Sequence, residues 1–220
     1  MPGPPREPMT TPPNRWHLFA GLLALIVAWQ LTGYGLGLLR PPTPPTRLGN
    51  PEIFADARAP TLGPRTADVT IYLLSDYACP NCRAMHANLR KLVAEHGNVR
   101  IVYRDLPILG DNSVRAARYA IATGNAHARF DDELMRHGGP LDEASLRGAA
   151  AKAGIDWSSL EASTVRNAAD IDDLIADTRL KANELGLDGT PALIVGPYLI
   201  IGRQTLAQLR DLVREARAAG

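Results

Sequence analysis

The sequence is short of cysteine and lysine, and it has almost no net charge. Two cysteines in 220 residues are too few for a disulfide framework, and alone too few for a tetrahedral zinc site. A formal net charge of +1 gives no reason to expect a nucleic-acid partner or an acidic tail. Lysine occurs at only three positions, which we interpret as compositional bias. With 45% hydrophobic residues, the chain can still bury the core of one good-sized domain.

The first 39 residues differ in composition from the rest of the chain. Residues 1–15 are proline-rich and polar, so we expect them to be disordered. Residues 16–39 carry no formal charge apart from His17, which is charged only when protonated, and about 20 apolar residues cross a bilayer as a helix. We therefore predict an uncleaved transmembrane signal anchor over residues 16–39. The alternatives are a cleaved signal peptide, with its core at 18–28, and a buried soluble helix.

Residues 40–66 are rich in proline, which disfavours a regular helix and favours extended chain. We interpret them as a passive linker between the anchor and a domain over residues 67–220. Ile53 and Phe54 are the linker residues that we expect to contact that domain.

The two cysteines lie close together, in the sequence Cys79-Pro80-Asn81-Cys82. The apolar run 69–74 before them predicts a strand buried on both faces, and the helical spacing after them predicts a helix. Pro80 fits the first helical position, where its missing N–H needs no partner. Cys79 would then lie at the helix N-terminus, where free N–H groups stabilise a thiolate. We predict that Cys79 is exposed and reacts with partners, and that Cys82 is more buried and resolves the mixed disulfide.

Two other interpretations of the cysteine pair are open. A structural disulfide that closes so short a loop would constrain the unfolded chain very little. A metal site could use Cys82 and His86, one helical turn apart, but the sequence shows no carboxylate or third thiol that completes it. We expect His86 and His96 to be solvated residues on the helix surface.

The chain resembles the DsbA-like branch of the thioredoxin superfamily over about residues 60–218. The motifs that carry the resemblance are Asp76-Tyr77-x-Cys79-Pro80-x-Cys82, the strand 99–105, Leu106-Pro107-Ile108-Leu109-Gly110 before an alanine-rich helix, and Gly189-Thr190-Pro191 before a second apolar run. The resemblance implies an α/β thioredoxin fold with an inserted α-helical subdomain, here about residues 111–186. With the N-terminal segment, the full prediction is this fold preceded by a transmembrane helix.

The resemblance also implies further site residues. Pro191 should be cis and should pack against the dithiol, while Thr190 should offer its backbone to an extended substrate. The sequence alone would favour an ordinary trans proline at the start of an edge strand. Relatives often carry a buried carboxylate six residues before the first cysteine, but this chain has Leu73 there. Asp76, in the turn, is the candidate replacement.

The inserted segment is alanine-rich and helical in period. We expect Ser113 to cap its first helix, Asp156 or Ser158 to start a later one, and His127 and His137 to lie at the surface. Beyond it, two strands flank Gly196-Pro197, and Thr205 with Gln208 forms a capping-box pattern before the last helix.

We therefore expect a protein thiol–disulfide oxidoreductase, catalytic through Cys79 and Cys82, that binds substrate at Thr190 and Pro191 and needs no cofactor or metal. The expected partners are cysteine-containing exported proteins, a redox protein that recycles the dithiol, and the membrane, with no nucleic acid. We expect a net oxidant, single-pass in the inner membrane, with its domain on the periplasmic side, where an oxidising compartment favours such chemistry. The alternatives are a reductase or isomerase, a non-catalytic peptide-binding protein, a metal-delivery dithiol, or a protein secreted after signal cleavage.

Overall fold

The computed structural model describes Ala28 and residues 45–219. The predicted disordered segment 1–15 and the predicted anchor 16–39 therefore lie outside the described residues, apart from Ala28. Among the residues that are described, no helix is both long and apolar enough to cross a membrane.

A six-stranded mixed sheet forms the centre of the domain, in the order β1-β6-β5-β3-β4-β2. Only β3 and β4 are parallel, and the other neighbouring pairs are antiparallel. The strands are β1 (Thr46–Arg47), β2 (Thr61–Leu62), β3 (Val69–Ser75), β4 (Val99–Asp105), β5 (Ala192–Val195) and β6 (Tyr198–Ile201). The predicted strand 69–74 is confirmed as the central β3, and its nearly continuous apolar sequence suits a strand covered on both faces.

Seven α-helices surround this sheet in the described domain. They are α1 (Pro80–Glu95), α2 (Asp111–Ala122), α3 (His127–Arg136), α4 (Glu143–Lys152), α5 (Trp157–Arg166), α6 (Ala168–Glu184) and α7 (Leu206–Ala219). Helices α2 to α6 lie between β4 and β5 in the chain, so the predicted helical insertion into an α/β fold is confirmed. Its predicted limits, about 111–186, agree with the start of α2 and the end of α6.

The two faces of the sheet have separate hydrophobic cores. Helices α1 and α7 cover one face, where Leu92 and Leu209 pack on residues such as Ile71. Helix α6 covers the other face, where Leu174 packs on Leu74. A third cluster fills the insertion and reaches the two cysteines, so the insertion and the sheet meet at the dithiol.

Residues 45–66 belong to the folded domain, so the predicted linker over 40–66 is too long. Strand β1 pairs with β6 and β2 pairs with β4, at opposite edges of the sheet. A Cβ on Gly63, whose φ is +99°, would lie 2.3 Å from the carbonyl oxygen of Val99, so the backbones approach closely there. The prolines exclude a regular α-helix here, but they do not prevent short strands between them.

The expected contact of Ile53 and Phe54 with the domain is confirmed. The two residues end a short 3-10 helix, Pro51–Phe54, and Phe54 is fully buried. Ile53 is partly buried in the same core. The linker residues therefore contribute to the hydrophobic interior as well as to the sheet.

Two of the predicted helix starts agree with the structure and one does not. The Asp156 carboxylate accepts a hydrogen bond from the Ser159 N–H and caps α5. The Thr205 and Gln208 side chains bond each other's backbone N–H groups, which confirms the capping box. Ser113 is not a cap, because α2 begins two residues earlier, at Asp111, and the Ser113 side chain is buried.

Arg104 of β4 ties the N-terminal segment to the insertion. Its side chain is completely buried and donates to the Phe54 carbonyl oxygen (3.0 Å) and to the Thr178 hydroxyl (3.0 Å). It also forms an ion pair with Asp177 at 2.5 Å. Arg104 thus joins the 3-10 helix to α6 across the edge of the sheet.

We expect Arg104→Met to lower the free energy of unfolding by about 2 kcal/mol, because it removes the buried hydrogen bonds to the Phe54 carbonyl and the Thr178 hydroxyl and leaves Asp177 paired with Lys181 alone. Urea denaturation of the full chain, followed by circular dichroism, measures this. Arg65→Met is the control, since Arg65 is exposed and its loss should change stability by no more than about 0.5 kcal/mol. Equal midpoints for the two variants would contradict the role given to Arg104.

Candidate active site

The dithiol lies where β3 turns into α1. Strand β3 ends at Ser75, and α1 begins at Pro80 with Cys79 as its N-cap residue. The Cys79 N–H donates to the Asp76 carbonyl (3.0 Å), and the Arg83 N–H donates to the Cys79 carbonyl (3.1 Å). The predicted positions of Cys79 and Pro80 at the helix start are therefore confirmed. The first N–H groups of α1 face the Cys79 side of the dithiol, an arrangement that favours negative charge.

Both cysteines are buried, so the prediction of an exposed Cys79 is wrong. Cys79 is 6% exposed and Cys82 is 2% exposed. Cys79 is therefore the more exposed of the two, as predicted, but the difference in exposure is small. Both thiols are free. The burial arises because the third hydrophobic cluster, which includes Tyr77 and residues of the insertion, extends around the pair.

The Thr190–Pro191 loop, which leads into the neighbouring strand β5, completes the site. The Thr190–Pro191 peptide bond is cis, as the resemblance implied. The Cys79 Sγ donates to the Thr190 carbonyl oxygen at 3.3 Å, so the loop packs directly on the dithiol. Residues 111 positions apart in the sequence therefore touch, because β3 and β5 are neighbours in the sheet.

The second thiol is held in its protonated form. Burial raises the pKa of Cys82 from its usual 9.0 to about 12. The backbone of Asp76 and the side chains of Ser75 and Thr190 favour the thiolate, but they offset only part of this effect. Cys82 therefore carries a proton at neutral pH, as a resolving thiol behind the surface would.

Asp76 organises the turn and does not face the dithiol with a free oxygen. One carboxylate oxygen accepts from the Ala78 N–H (2.8 Å) and the Ser113 hydroxyl (2.7 Å). The other oxygen accepts from the Ile108 and Leu109 N–H groups, at 2.8 and 3.0 Å. Three of these bonds hold the turn to the loop after β4 and to α2, and the bond from Ala78 lies within the turn. The suggestion that Asp76 replaces a proton-handling carboxylate therefore has no support in its contacts.

Arg83 fastens the dithiol turn to the insertion. Its Nε donates to the Tyr77 carbonyl at 2.6 Å, and its two terminal nitrogens lie 3.4 and 3.5 Å from the Gly139 carbonyl. The sequence analysis did not identify this role, because Gly139 is 56 residues away. One arginine thus links the residue that precedes the dithiol to the loop between α3 and α4.

Buried acidic groups occur near the site, but on other elements than β3. Leu73 packs in the apolar core, as its side chain requires. Asp105, on the neighbouring strand and in register with Ser75, is buried. Burial, together with the charges of Asp131 and Asp76, raises the pKa of Asp105 well above its usual range. Sequence reasoning missed Asp105 because only the parallel pairing of β3 and β4 brings it beside the dithiol strand.

Two histidines that we expected at the surface are buried. His127 is 2% exposed, with its Nε2 3.5 Å from the Tyr77 hydroxyl, and burial lowers its pKa to about 3. His86 is 7% exposed and contacts carboxylates of α3. Both predictions are wrong. The insertion covers the face of α1 that carries His86, and His127 packs inside the domain against Tyr103 and Tyr77. His137 lies near the surface, as predicted.

We expect the Cys82 thiol to react with iodoacetamide far more slowly than an ordinary thiol when it is the only cysteine, in Cys79→Ser. With its pKa raised to about 12, the thiolate fraction at pH 8 is about 1000-fold below that of a thiol at the usual 9.0. The alkylation rate, measured by mass spectrometry, should rise tenfold per pH unit up to at least pH 10.5. When the same variant is unfolded in urea, its alkylation rate should stop rising above about pH 9. If the rate of the folded protein also stops rising there, the raised pKa of Cys82 is contradicted.

The model of a family described as Thioredoxin matches residues 56–215 of this chain. A thioredoxin-like oxidoreductase from Silicibacter pomeroyi is 36% identical, with a TM-score of 0.72 over 78% of this chain and 100% of that one. The thiol-disulfide exchange protein alpha-DsbA2 from Wolbachia pipientis is 30% identical, with a TM-score of 0.71 over 74% of this chain and 90% of that one.

A curated relative is much longer than this chain. The Na(+)/H(+) antiporter NhaA 1 of Salinispora arenicola is 29% identical over 90% of this chain but only 32% of its own length. The chain thus spans about a third of that relative. The chain belongs to the thioredoxin superfamily, and within it to the DsbA-like thiol–disulfide oxidoreductases.

Proposed function

We propose that this protein exchanges disulfides with exported proteins through Cys79 and Cys82, and that its net action is oxidation. One observation carries the proposal: the Cys79 Sγ lies at the N-terminus of α1 and at 3.3 Å from the carbonyl before the cis proline. A client chain that pairs with this loop would bring its own sulfur to Cys79. Thr190 and Pro191 are accordingly the proposed substrate-binding residues.

The exchange consists of two thiol–disulfide exchange reactions with the uptake of a proton by Cys82 between them. A client thiolate attacks Cys79 of the oxidised pair, so that a client–Cys79 disulfide forms and Cys82 leaves as a thiolate. Cys82 then takes up a proton, which its raised pKa favours. A second client thiolate attacks the client sulfur of the mixed disulfide and releases Cys79. The client gains a disulfide and loses two electrons, which the reduced pair Cys79 and Cys82 holds until a redox partner removes them.

Attack at Cys79 rather than Cys82 follows from the geometry of the pair. Cys79 is the more accessible thiol, and it alone contacts the Thr190 carbonyl among the described contacts. The N–H groups of the first turn of α1 favour a thiolate leaving from Cys79. These features support an oxidant, since a well-stabilised Cys79 thiolate makes the reduced state the favoured one. A reductase or isomerase of the same fold is the alternative.

We propose the same placement as the sequence indicates, with residues 16–39 as a membrane anchor and the domain on the periplasmic side. The dithiol chemistry supports an oxidising compartment. Similarity to part of an antiporter is a second reason to expect a membrane setting. The proposed partners are cysteine-containing exported proteins and a protein that reoxidises the dithiol.

In the Cys82→Ser variant, we expect client proteins to accumulate as mixed disulfides on Cys79, because the Cys79 thiolate can still attack a client disulfide and displace one client thiolate, while Cys82 is absent and cannot attack the mixed disulfide to release the client. Non-reducing electrophoresis and mass spectrometry of the full chain, expressed in an oxidising compartment, would identify them. The Cys79→Ser variant is the matched control and should trap none. If Cys82→Ser traps no more than the control, the exchange proposal fails.

The reduction potential decides the direction of exchange. Equilibration of the full chain with glutathione should give a value above about −180 mV if the protein is a net oxidant. A value near about −270 mV, typical of thioredoxin, would make it a reductase and overturn the proposed direction while leaving the exchange chemistry intact.

A further inference from the structure

Helices α1 and α3 meet at a polar cluster that the dithiol chemistry does not use. His86 comes from α1, and Asp131 and Asp132 come from α3. One potential ligand atom from each of the three lies within 4.8 Å of the others. The His86 Nε2 is 2.7 Å from an Asp132 oxygen, and its Nδ1 is 3.5 Å from an Asp131 oxygen. The carboxylates that the sequence did not reveal beside His86 are therefore supplied by another helix, 45 residues later.

The Asp131 carboxylate is the anomaly of this cluster. The residue has no exposed surface, and neither of its oxygens has a hydrogen bond of good geometry to any residue that the structure describes, although the Tyr103 hydroxyl is near enough to lower its pKa. A buried carboxylate that is so weakly hydrogen-bonded is unfavourable as an ion. Burial accordingly raises the pKa of Asp131 to about 6. A cation beside this carboxylate would remove the cost.

The deeper neighbours of Asp131 do not supply that cation. His127, on the same helix, is neutral at pH 7 because burial lowers its pKa to about 3. Asp105, on β4, adds an acidic group, whose pKa is raised in part by Asp131 itself. The hydroxyls of Tyr77 and Tyr103 are uncharged, because burial raises the pKa of both well above the usual range. Arg90 of α1 brings positive charge near enough to lower the pKa of Asp131, but it forms its ion pair with Asp132, so the open approach for a cation to Asp131 is the side of His86.

We propose that His86, Asp131 and Asp132 bind one divalent transition-metal ion of the Zn²⁺ type. One imidazole nitrogen with two carboxylate oxygens is a ligand set that suits Zn²⁺ and its neighbours better than Mg²⁺ or Ca²⁺. Two carboxylates neutralise the dication, so the buried charge is balanced. A fourth position is left for water, which a surface cavity of about 570 Å³ lined by His86, Asp132 and Met135 can supply.

Two arginines define the outer surroundings of the site. Arg90 lies 3.0 Å and Arg136 lies 3.3 Å from oxygens of Asp132. Outer partners of this kind orient a ligating carboxylate, and they also withdraw part of its negative charge. We therefore expect weaker binding than in a site without cations, and binding that weakens at low pH because His86 must be neutral to coordinate. The rival occupant is a proton on His86, shared between the two carboxylates.

The test uses the full, untagged chain with Cys79→Ser and Cys82→Ser, so that thiols cannot bind the ion. Calorimetric titration with ZnCl₂ should give one ion per chain, and CoCl₂ should give visible absorption bands from the bound ion. Asp131→Asn and His86→Gln in this background should each weaken binding at least about tenfold, the smallest loss seen even for outer-shell changes. Glu133→Gln is the matched control, since Glu133 lies on the same helix but pairs with Arg136, and it should bind unchanged.

Absence of binding, or equal binding by Asp131→Asn and Glu133→Gln, would overturn the metal site and leave the protonated His86 as the occupant. Asp131→Asn replaces a buried ionisable group by a neutral one, so it should fold. Paramagnetic shifts from Co²⁺ in the chain with only the two cysteine changes provide a second measurement that needs no further variant. Shifts centred on the His86 ring support the site, and shifts centred on His96 or His137 instead would overturn it. The result is independent of the exchange activity, because both cysteines are absent.

Discussion

The geometry of the site depends on the four hydrogen bonds of a single carboxylate, that of Asp76. They fix the turn after β3 and join it to the loop after β4 and to α2, in addition to the backbone bond from the Leu106 N–H to the Ser75 carbonyl. A carboxylate is well suited to this position because it accepts only, and all four of its neighbours donate. Bonds to an ionised acceptor are also about twice as strong as neutral ones.

The same attachment makes the insertion part of the site rather than a lid placed beside it. Arg83 joins Tyr77, in the turn before Cys79, to the loop after α3. The hydrophobic cluster of the insertion includes both cysteines. The polar cluster around His86 forms a further contact between α1 and α3. Burial of the dithiol and the high pKa of Cys82 both follow from this cover, because they arise from the loss of water around the thiols.

Sequence patterns predicted the elements well wherever a local signal specifies the structure. The apolar run of β3, the proline at the first position of α1 and the Thr205–Gln208 capping box each depend on neighbours in the chain. The linker was predicted less well. Its proline content indicates that it cannot form a regular α-helix, but its two short strands form because the edges of the sheet offer them partners. Ser113 illustrates the same limit: its hydroxyl suits a helix cap, but Asp76 offers it a buried partner instead.

The sequence by itself determined the chemistry that is available: one pair of cysteines, two residues apart, between a buried strand and a helix start. It also indicated the family, and with it the cis bond before Pro191. Only the tertiary structure decided which groups surround that pair. Thr190, Asp105 and the carboxylates beside His86 lie on elements remote in the chain, and sheet pairing or helix packing brings them together. Burial, and the pKa shifts that it causes, are properties of this packing, so no local pattern could have specified them.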